Sequence, residues 1–122
     1  MITTNTKNAL KKTRLICMAV AAKDTAYLPL EHLWTPEDPL AEHCGAVAYV
    51  VQQIFGGDIM SGHDDNGVRW LWNKLPDGEY AVTEPDLIPR PKKPGKRLPS
   101  RKTINPRFKL FCNRFTDYRS GK

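Results

Sequence analysis

The segment "EHCGAVAYVVQQIFGG", residues 42–57, carries the clearest structural signal in this chain. Its apolar residues recur at intervals of three and four positions: Val47, Val50, Val51, Ile54 and Phe55. That spacing is typical of an α-helix, and intervening alanines make the helix apolar nearly all round. Gly56 and Gly57 then provide the left-handed backbone conformation that commonly ends a helix. We therefore predict a central, buried helix from Cys44 to Phe55.

A second segment, "VRWLWNKL" at residues 68–75, has the two-residue alternation that is typical of a strand. The turn sequence "PDG" follows it and "EYAVT" returns, which predicts an antiparallel hairpin. We place Trp70 and Trp72 on the inner face of this hairpin, where they fill the core. Before it, "DIM" at 58–60 is interpreted as a short strand and "SGHDDNG" at 61–67 as a loop. A helix beside such a sheet predicts an α+β fold.

All 122 residues are predicted to form one domain with four parts. An amino-terminal helix lies within residues 1–23, and the core helix and hairpin occupy residues 34–89. A basic, proline-rich strap covers residues 90–104, and a carboxy-terminal helix covers residues 105–118. One apolar stripe of that last helix is expected to dock on the body: Phe108, Phe111, Cys112, Phe115 and Tyr118.

The three cysteines, Cys17, Cys44 and Cys112, are odd in number, lie far apart and include no CxxC pair. This argues against a zinc site and a disulfide framework, and it favours a reducing cytoplasm. The apolar run "LICMAVAA" at 15–22 is too short to cross a membrane and has no convincing cleavage site. We expect a cytoplasmic protein without membrane attachment, metal or cofactor.

The charges are segregated along the chain, although the net charge is only +6. Residues 1–23 carry five Lys or Arg and no acid, and residues 24–89 carry twelve acids and two Lys or Arg. Residues 90–122 carry twelve Lys or Arg and one acid. Two interpretations remain open: the basic ends lie on the acidic middle, or the basic end binds an anionic partner.

Seven basic residues in the strap are candidates for contact with such a partner: Arg90, Lys92, Lys93, Lys96, Arg97, Arg101 and Lys102. Clustered Lys and Arg suffice for phosphate contact without sequence specificity. We therefore expect nucleic acid or a nucleoprotein to contact residues 90–109. No helix-turn-helix, RNP or zinc motif accompanies these residues. The alternative is a solvated strap on the acidic body.

Three stretches together resemble the small bacterial YunG-like proteins: "HCGAVAYVVQQIFGGD" at 43–58, "WLWNKLPDG" at 70–78 and "EYAVTEPDL" at 79–87. The tail "NPRFKLFCNRF" at 105–115 is similar to the closing helix of those proteins, so the resemblance spans about residues 34–116. It implies a papain-like minimal core. In that arrangement, a cysteine begins the helix, a histidine lies on a strand and an aspartate lies on the next strand.

Residue by residue, the resemblance carries over only the cysteine, which matches Cys44. The family's preceding Gln falls on His43, its strand His on Trp70 and its Asp on Ala81. Tryptophan cannot accept a proton and alanine cannot orient a base, so these positions cannot run a cysteine mechanism. The leading hypothesis is therefore a non-catalytic binding or inhibitor module on a degenerate cysteine-enzyme-like scaffold, with a protein, nucleoprotein or nucleic acid as its partner.

Alternatives remain for several of these residues. A thiol amidase or peptidase would need Cys44 with a relocated base, for which His63 beside Asp64 and Asp65 is the candidate. A metal at those three adjacent residues is disfavoured, because neighbours rarely converge on one ion. His43 is expected to cap the helix or face solvent.

Two further alternatives concern partners. Instead of filling the core, Trp70 and Trp72 are candidate aromatic anchors for a partner. The chain is also a candidate subunit of a larger assembly, with the basic tail as its docking arm. The sequence carries no information on the oligomeric state.

Overall fold

The computed structural model describes residues 4–98 and 106–121. Its elements in chain order are α1 (Thr4–Val20), two 3₁₀ helices (Lys23–Thr25 and Leu28–Leu33), α2 (Cys44–Phe55), β1 (Asp58–His63), β2 (Arg69–Leu75), β3 (Gly78–Tyr80), β4 (Lys96–Arg97) and α3 (Pro106–Arg119). A central helix, a small antiparallel sheet and two flanking helices make an α+β fold, which confirms that prediction. In the described ranges, no helix is both long and apolar enough to span a bilayer.

Helix α2 has the bounds that its sequence predicts. Five of its residues are buried: Ala46, Val47, Ala48, Val50 and Val51. Gly56 ends the helix with a φ of 75°, a value that side-chain-bearing residues adopt only with strain. At the other end, His43 occupies the N-cap position but its side chain makes no capping hydrogen bond.

The four strands form one antiparallel sheet in the order β3-β2-β1-β4. β2 and β3 form the predicted hairpin. Two details differ from the sequence expectation. β1 continues through Ser61, Gly62 and His63, which "SGHDDNG" placed in a loop, because these residues pair with β2. The strap forms β4, since Lys96 and Arg97 pair through their backbones with β1, and backbone pairing leaves no signal in side-chain alternation.

The two faces of β2 pack in different hydrophobic clusters. Asn73 faces α2, where its Nδ2 donates to the carbonyl of Ala48 at 2.9 Å. Trp70 and Trp72 alternate with Asn73 and therefore lie on the opposite face. The predicted core filling is confirmed for Trp72, which is 3% exposed, but Trp72 does not pack on the face of the sheet that contacts α2. Trp72 instead forms a second cluster with Met60 and Ala81, against which Trp70 packs.

The strap covers that second cluster. A Cβ placed at Gly95 would collide with the Trp72 ring, and a Cβ at Gly62 would lie 2.8 Å from the same ring. Trp72 is consequently only 3% exposed. Glycine at these positions thus lets the strap and β1 approach the indole closely, and β4 holds the strap on the sheet edge.

Helices α1 and α3 complete the larger hydrophobic core, to which α2 also contributes. Leu10 and Cys17 of α1 and Phe111 of α3 are fully buried, and Phe115 is 3% exposed. Tyr118, the last member of the predicted stripe, is 55% exposed. α1 ends at Val20, short of the predicted 1–23 range, and Asn105, the predicted first residue of the last helix, lies outside the described residues.

Candidate functional site

Cys44 lies at the first residue of α2, between two adjoining surface cavities. Its side chain lines both of them, as do Glu42, Val68 and Arg69. Glu42 adopts a φ of 60°, which is unusual for a residue with a side chain. The turn before α2 and the start of β2 thus bring the cysteine into an open groove.

The two cavities differ in chemistry. The polar cavity, about 450 Å³, is lined in addition by charged residues, Trp70 and small polar groups, among them Arg14, Asp38, Thr83, Glu84 and Arg90. The apolar cavity, about 460 Å³, is lined in addition by Tyr27, Leu28, Leu30, Leu71 and Phe108, among others. Both volumes are in the range of small-molecule sites.

The environment of Cys44 keeps its thiol protonated. Burial raises the pKa of the thiol above its ordinary value of 9.0, and the nearby Glu42 carboxylate raises it further. A backbone hydrogen bond from Leu71 and the charge of Arg69 lower the pKa only in part. A nucleophilic cysteine requires the opposite balance, a thiolate near neutral pH.

The residue at the position where the resemblance implies a histidine lines one of these cavities. Trp70 lines the polar cavity together with Cys44. Its indole Nε1 donates to Oδ2 of Asp64 at 2.8 Å, and the Arg90 guanidinium lies 5.8 Å from the centre of its ring. Ala81 is 5% exposed in the cluster against which Trp70 packs. Trp70 therefore shares a cavity with Cys44, whereas Ala81 lines neither cavity that Cys44 lines, and neither Trp70 nor Ala81 can accept a proton.

His43 is a buried structural residue, so the expectation that it caps α2 or faces solvent is wrong. It is 1% exposed, and its ring lies 5.5 Å from that of Phe111. Its Nδ1 lies 2.8 Å from the carbonyl oxygen of Ala41, which only accepts, so Nδ1 carries the hydrogen. In the neutral ring, Nε2 therefore accepts from the Thr25 hydroxyl at 2.7 Å. Burial lowers the pKa of His43.

His63, the candidate base, lies at the end of β1 opposite Arg69 and is exposed. It lines neither cavity that Cys44 lines. Asp64 does not orient it: Oδ1 of Asp64 accepts from the backbone of Asn66 and Val68, and Oδ2 from Trp70. Within residues 4–98 and 106–121, no three His, Cys, Asp or Glu side chains are grouped for a metal.

The predicted basic residues divide into two groups. Arg90 binds Glu84 through two nitrogens at 2.9 and 3.0 Å, and Arg97 lies 3.8 Å from Asp58. Lys92, Lys93 and Lys96 are exposed, and in the described part of the chain no carboxylate forms an ion pair with them. Arg101 and Lys102 lie outside the described residues.

Two more arginines of the basic end bind the acidic middle: Arg107 with Glu31 at 2.9 Å and Arg114 with Asp24 at 2.6 Å. Each of the four ion pairs found in the described ranges thus joins residues 90–122 to residues 24–89. This favours the interpretation in which the basic end lies on the acidic body. Trp72, a candidate partner anchor, is covered by the strap, whereas Trp70 is half-buried.

Several residues of the groove were missed from the sequence: Arg14, Asp38, Glu42, Thr83 and Glu84. Glu42, Thr83 and Glu84 lie inside stretches that the sequence analysis used for the fold and the resemblance, but no pattern there marks them as site residues. Arg14 is one of three basic residues between Leu10 and Leu15, and the sequence does not distinguish it from Lys11 and Lys12.

These features define a class: a small α+β protein with a cysteine at the start of a central helix beside an antiparallel sheet. A family model described as YunG protein matches residues 10–108. The match covers more than half of the chain, which therefore belongs to the YunG family, as the resemblance predicted. Searches among curated proteins and among solved structures found no match.

Proposed function

We propose that this protein is a non-catalytic binding module, a pseudoenzyme on a cysteine-enzyme-like scaffold. One observation carries the proposal: Cys44 opens into a groove that is also lined by Trp70, a hydrogen-bond donor at the position where the resemblance implies a histidine. The raised pKa of the Cys44 thiol supports it independently. No histidine is among the described residues that line either cavity, so a groove that holds a thiol of raised pKa is suited to binding ligands without attacking them.

The proposed macromolecular partner is a nucleic acid or nucleoprotein, in a cytoplasmic setting. The exposed side chains of Lys92, Lys93 and Lys96 support the contact, because the described arginines of the same segment already bind the protein's own carboxylates. The three free cysteines support the reducing compartment. An inhibitor role would use the same contacts.

The alternative, a Cys44–His63 thiol enzyme, has less support. The two side chains share no cavity, and the Asp64 carboxylate is bound to the turn and to Trp70. Such an enzyme would require both the strand end and the turn to rearrange.

Alkylation of the thiols as a function of pH tests the non-catalytic proposal. Peptide mass spectrometry separates Cys44 from Cys112 and from Cys17, whose pKa burial raises to about 12. We expect iodoacetamide to label Cys44 more slowly at pH 7 than it labels the urea-unfolded chain, with acceleration only in alkaline solution. Labelling of Cys44 at pH 7 that is faster than in the unfolded chain contradicts the proposal.

A salt titration of nucleic-acid binding tests the partner. Replacement of Lys92, Lys93 and Lys96 by Gln is expected to weaken duplex DNA binding and to reduce the salt slope by about 3. The matched control replaces Lys7, Lys11 and Lys12 of α1 by Gln, which removes equal charge elsewhere. An equal loss in both triple variants, or salt-independent binding, excludes the strap as the contact.

A further inference from the structure

Two buried polar atoms in the wall of the polar cavity lack hydrogen-bond partners. Two side-chain atoms that are buried among its lining residues, Nε of Arg14 and Oγ1 of Thr83, have no hydrogen-bond partner. A buried polar atom without a partner costs on the order of 1–3 kcal/mol, so proteins rarely keep one without a reason. Here both atoms belong to residues that line the same cavity beside Cys44.

Arg14 also forms no ion pair with any described residue. Its Nη1 donates to the sulfur of Met18 at 3.1 Å, a weak acceptor. Among the described residues, no carboxylate forms an ion pair with it, although the carboxylates of Asp38 and Glu42 line the same cavity. A guanidinium presents a planar array of donors that matches a carboxylate. The missing partner of Arg14 is therefore an anionic, planar acceptor.

The charges of the other lining residues limit which kinds of ligand can carry this anionic group. Glu84 is neutralised by Arg90. Arg69 adds one positive charge, whereas Asp38 and Glu42 add two negative charges without an ion-pair partner among the described residues, so a net negative charge remains once Arg14 is paired with a ligand. These carboxylates would repel a second anionic group on the ligand and so lower the affinity of the cavity for it. The cavity's volume of about 450 Å³ suits a small ligand or the end of a peptide.

We infer that the polar cavity binds a small monocarboxylate whose remainder is neutral or cationic, as in an amino acid or a peptide carboxy-terminus. The ligand carboxylate accepts hydrogen bonds from the Arg14 guanidinium. The Thr83 hydroxyl, which is buried in the cavity wall, supplies a further hydrogen bond when its side chain turns towards the ligand. Trp70 forms an apolar part of the wall. The inference rests on the proposed non-catalytic function, since the ligand lies beside the Cys44 thiol without being attacked.

The test is an NMR titration of the full chain that follows backbone amides and the Arg14 Nε–H resonance. The probe is N-acetylglycine, and the matched probe without a carboxylate is N-acetylglycinamide. We expect saturable shifts at Arg14 and Thr83 with the acid and none with the amide. Succinate, a dianion of similar size, is expected to bind at least threefold more weakly than N-acetylglycine. Equal shifts with acid and amide, or no saturation, overturn the inference.

Variants separate binding from structural roles. Arg14→Gln is expected to weaken N-acetylglycine binding at least tenfold, whereas Lys11→Gln, an exposed charge loss on the same helix, leaves it unchanged. Thr83→Val removes an unpartnered hydroxyl, so the melting temperature should stay equal or rise while affinity falls. Arg14→Lys keeps the charge and the apolar stem in case the Gln variant does not fold, and it too should bind more weakly.

Unchanged affinity in both the Thr83 and the Arg14 variants overturns the site. The thiol experiment is independent of these outcomes. A reactive Cys44 would refute the non-catalytic function, whereas an unreactive Cys44 without carboxylate binding would refute only this inference.

Discussion

Trp70 donates its indole N–H to the Asp64 carboxylate at 2.8 Å, across the turn that joins β1 to β2. The same carboxylate accepts from the backbone of Asn66 and Val68, so one side chain both shapes the turn and holds the indole. The indole in turn lines the polar cavity that Cys44 also lines. Asp64, which the sequence suggested as the partner of the candidate base His63, therefore holds Trp70 instead.

Asp64→Ala should lower the melting temperature and loosen Trp70. The substitution removes the acceptor of three hydrogen bonds, and the pKa of Asp64 is lowered chiefly by its bond to Trp70. Asp65→Ala, in the same turn and exposed, should leave the melting temperature within experimental error. Thermal unfolding and the Trp70 indole N–H resonance are the measurements. Equal stability of the two variants would show that Asp64 is dispensable for the turn.

Because of the buried His43, the free energy of unfolding should be lower in mild acid than at neutral pH. Its pKa is lowered from 6.5 by burial, so the unfolded chain binds the proton first as pH falls. The stability that the neutral ring contributes is complete above about pH 6.5 and is lost as pH falls towards the lowered value. We expect the free energy of unfolding from urea titrations to fall between pH 7.5 and pH 5.

The matched variants for this pH effect are His43→Gln and the exposed His32→Gln and His63→Gln. His43→Gln should be less stable by about 1–3 kcal/mol at pH 7.5 and should show a shallower decline towards pH 5. The other two variants should keep the full decline. An unchanged pH slope in His43→Gln would assign the effect to other groups.

Gly95→Ala should detach the strap from the sheet. Its Cβ would collide with the Trp72 ring, which is 3% exposed and has little room to move. Overpacking of this kind typically costs about 1–3 kcal/mol. Limited trypsin digestion should cut faster after Lys92 and Lys96 than in wild type. Ile88→Ala, an exposed change just before the strap, should be cut at the wild-type rate. Resistance equal to wild type would mean that the indole repacks without cost.

Arg114 and Asp24 should couple only weakly, although two hydrogen bonds of 2.6 and 2.7 Å join them. Their side chains are 37% and 56% exposed, and exposed pairs contribute about 0.2–1 kcal/mol. A double-mutant cycle with Asp24→Asn and Arg114→Gln should fall in that range and shrink in 1 M salt. The pKa of Asp24 is lowered by Arg114, so the coupling should also be lost as pH falls below about 3.8.

Arg107 is the comparison for that pair. It is 24% exposed and donates to the carbonyls of Lys23 and Ala26 as well as to Glu31. Arg107→Gln should therefore destabilise the protein more than Arg114→Gln does, by urea titration. The opposite order would show that the backbone contacts of Arg107 contribute little.

The central helix and the hairpin were predictable, because their signals are local. The three- and four-residue spacing in residues 44–55 and the glycines after it define α2 without reference to any other segment. The family membership was predictable for a similar reason, since contiguous stretches carry it. By contrast, the face on which Trp70 and Trp72 lie depends on where the helix docks, and β4 depends on pairing with a distant strand.

The sequence by itself determined that Cys44 begins a helix and that Trp70 and Ala81 cannot accept a proton, because helix signals are local and residue identity alone decides which groups accept protons. Only the tertiary structure decided the setting of that cysteine. The cavity next to it combines Arg14 of α1, Trp70 of β2 and Thr83 after β3, which are distant in sequence. The burial of Cys44 and the surroundings of Arg14 arise from packing between distant segments. The pairing of the basic end with the acidic middle has the same origin, and no local sequence pattern encodes such packing.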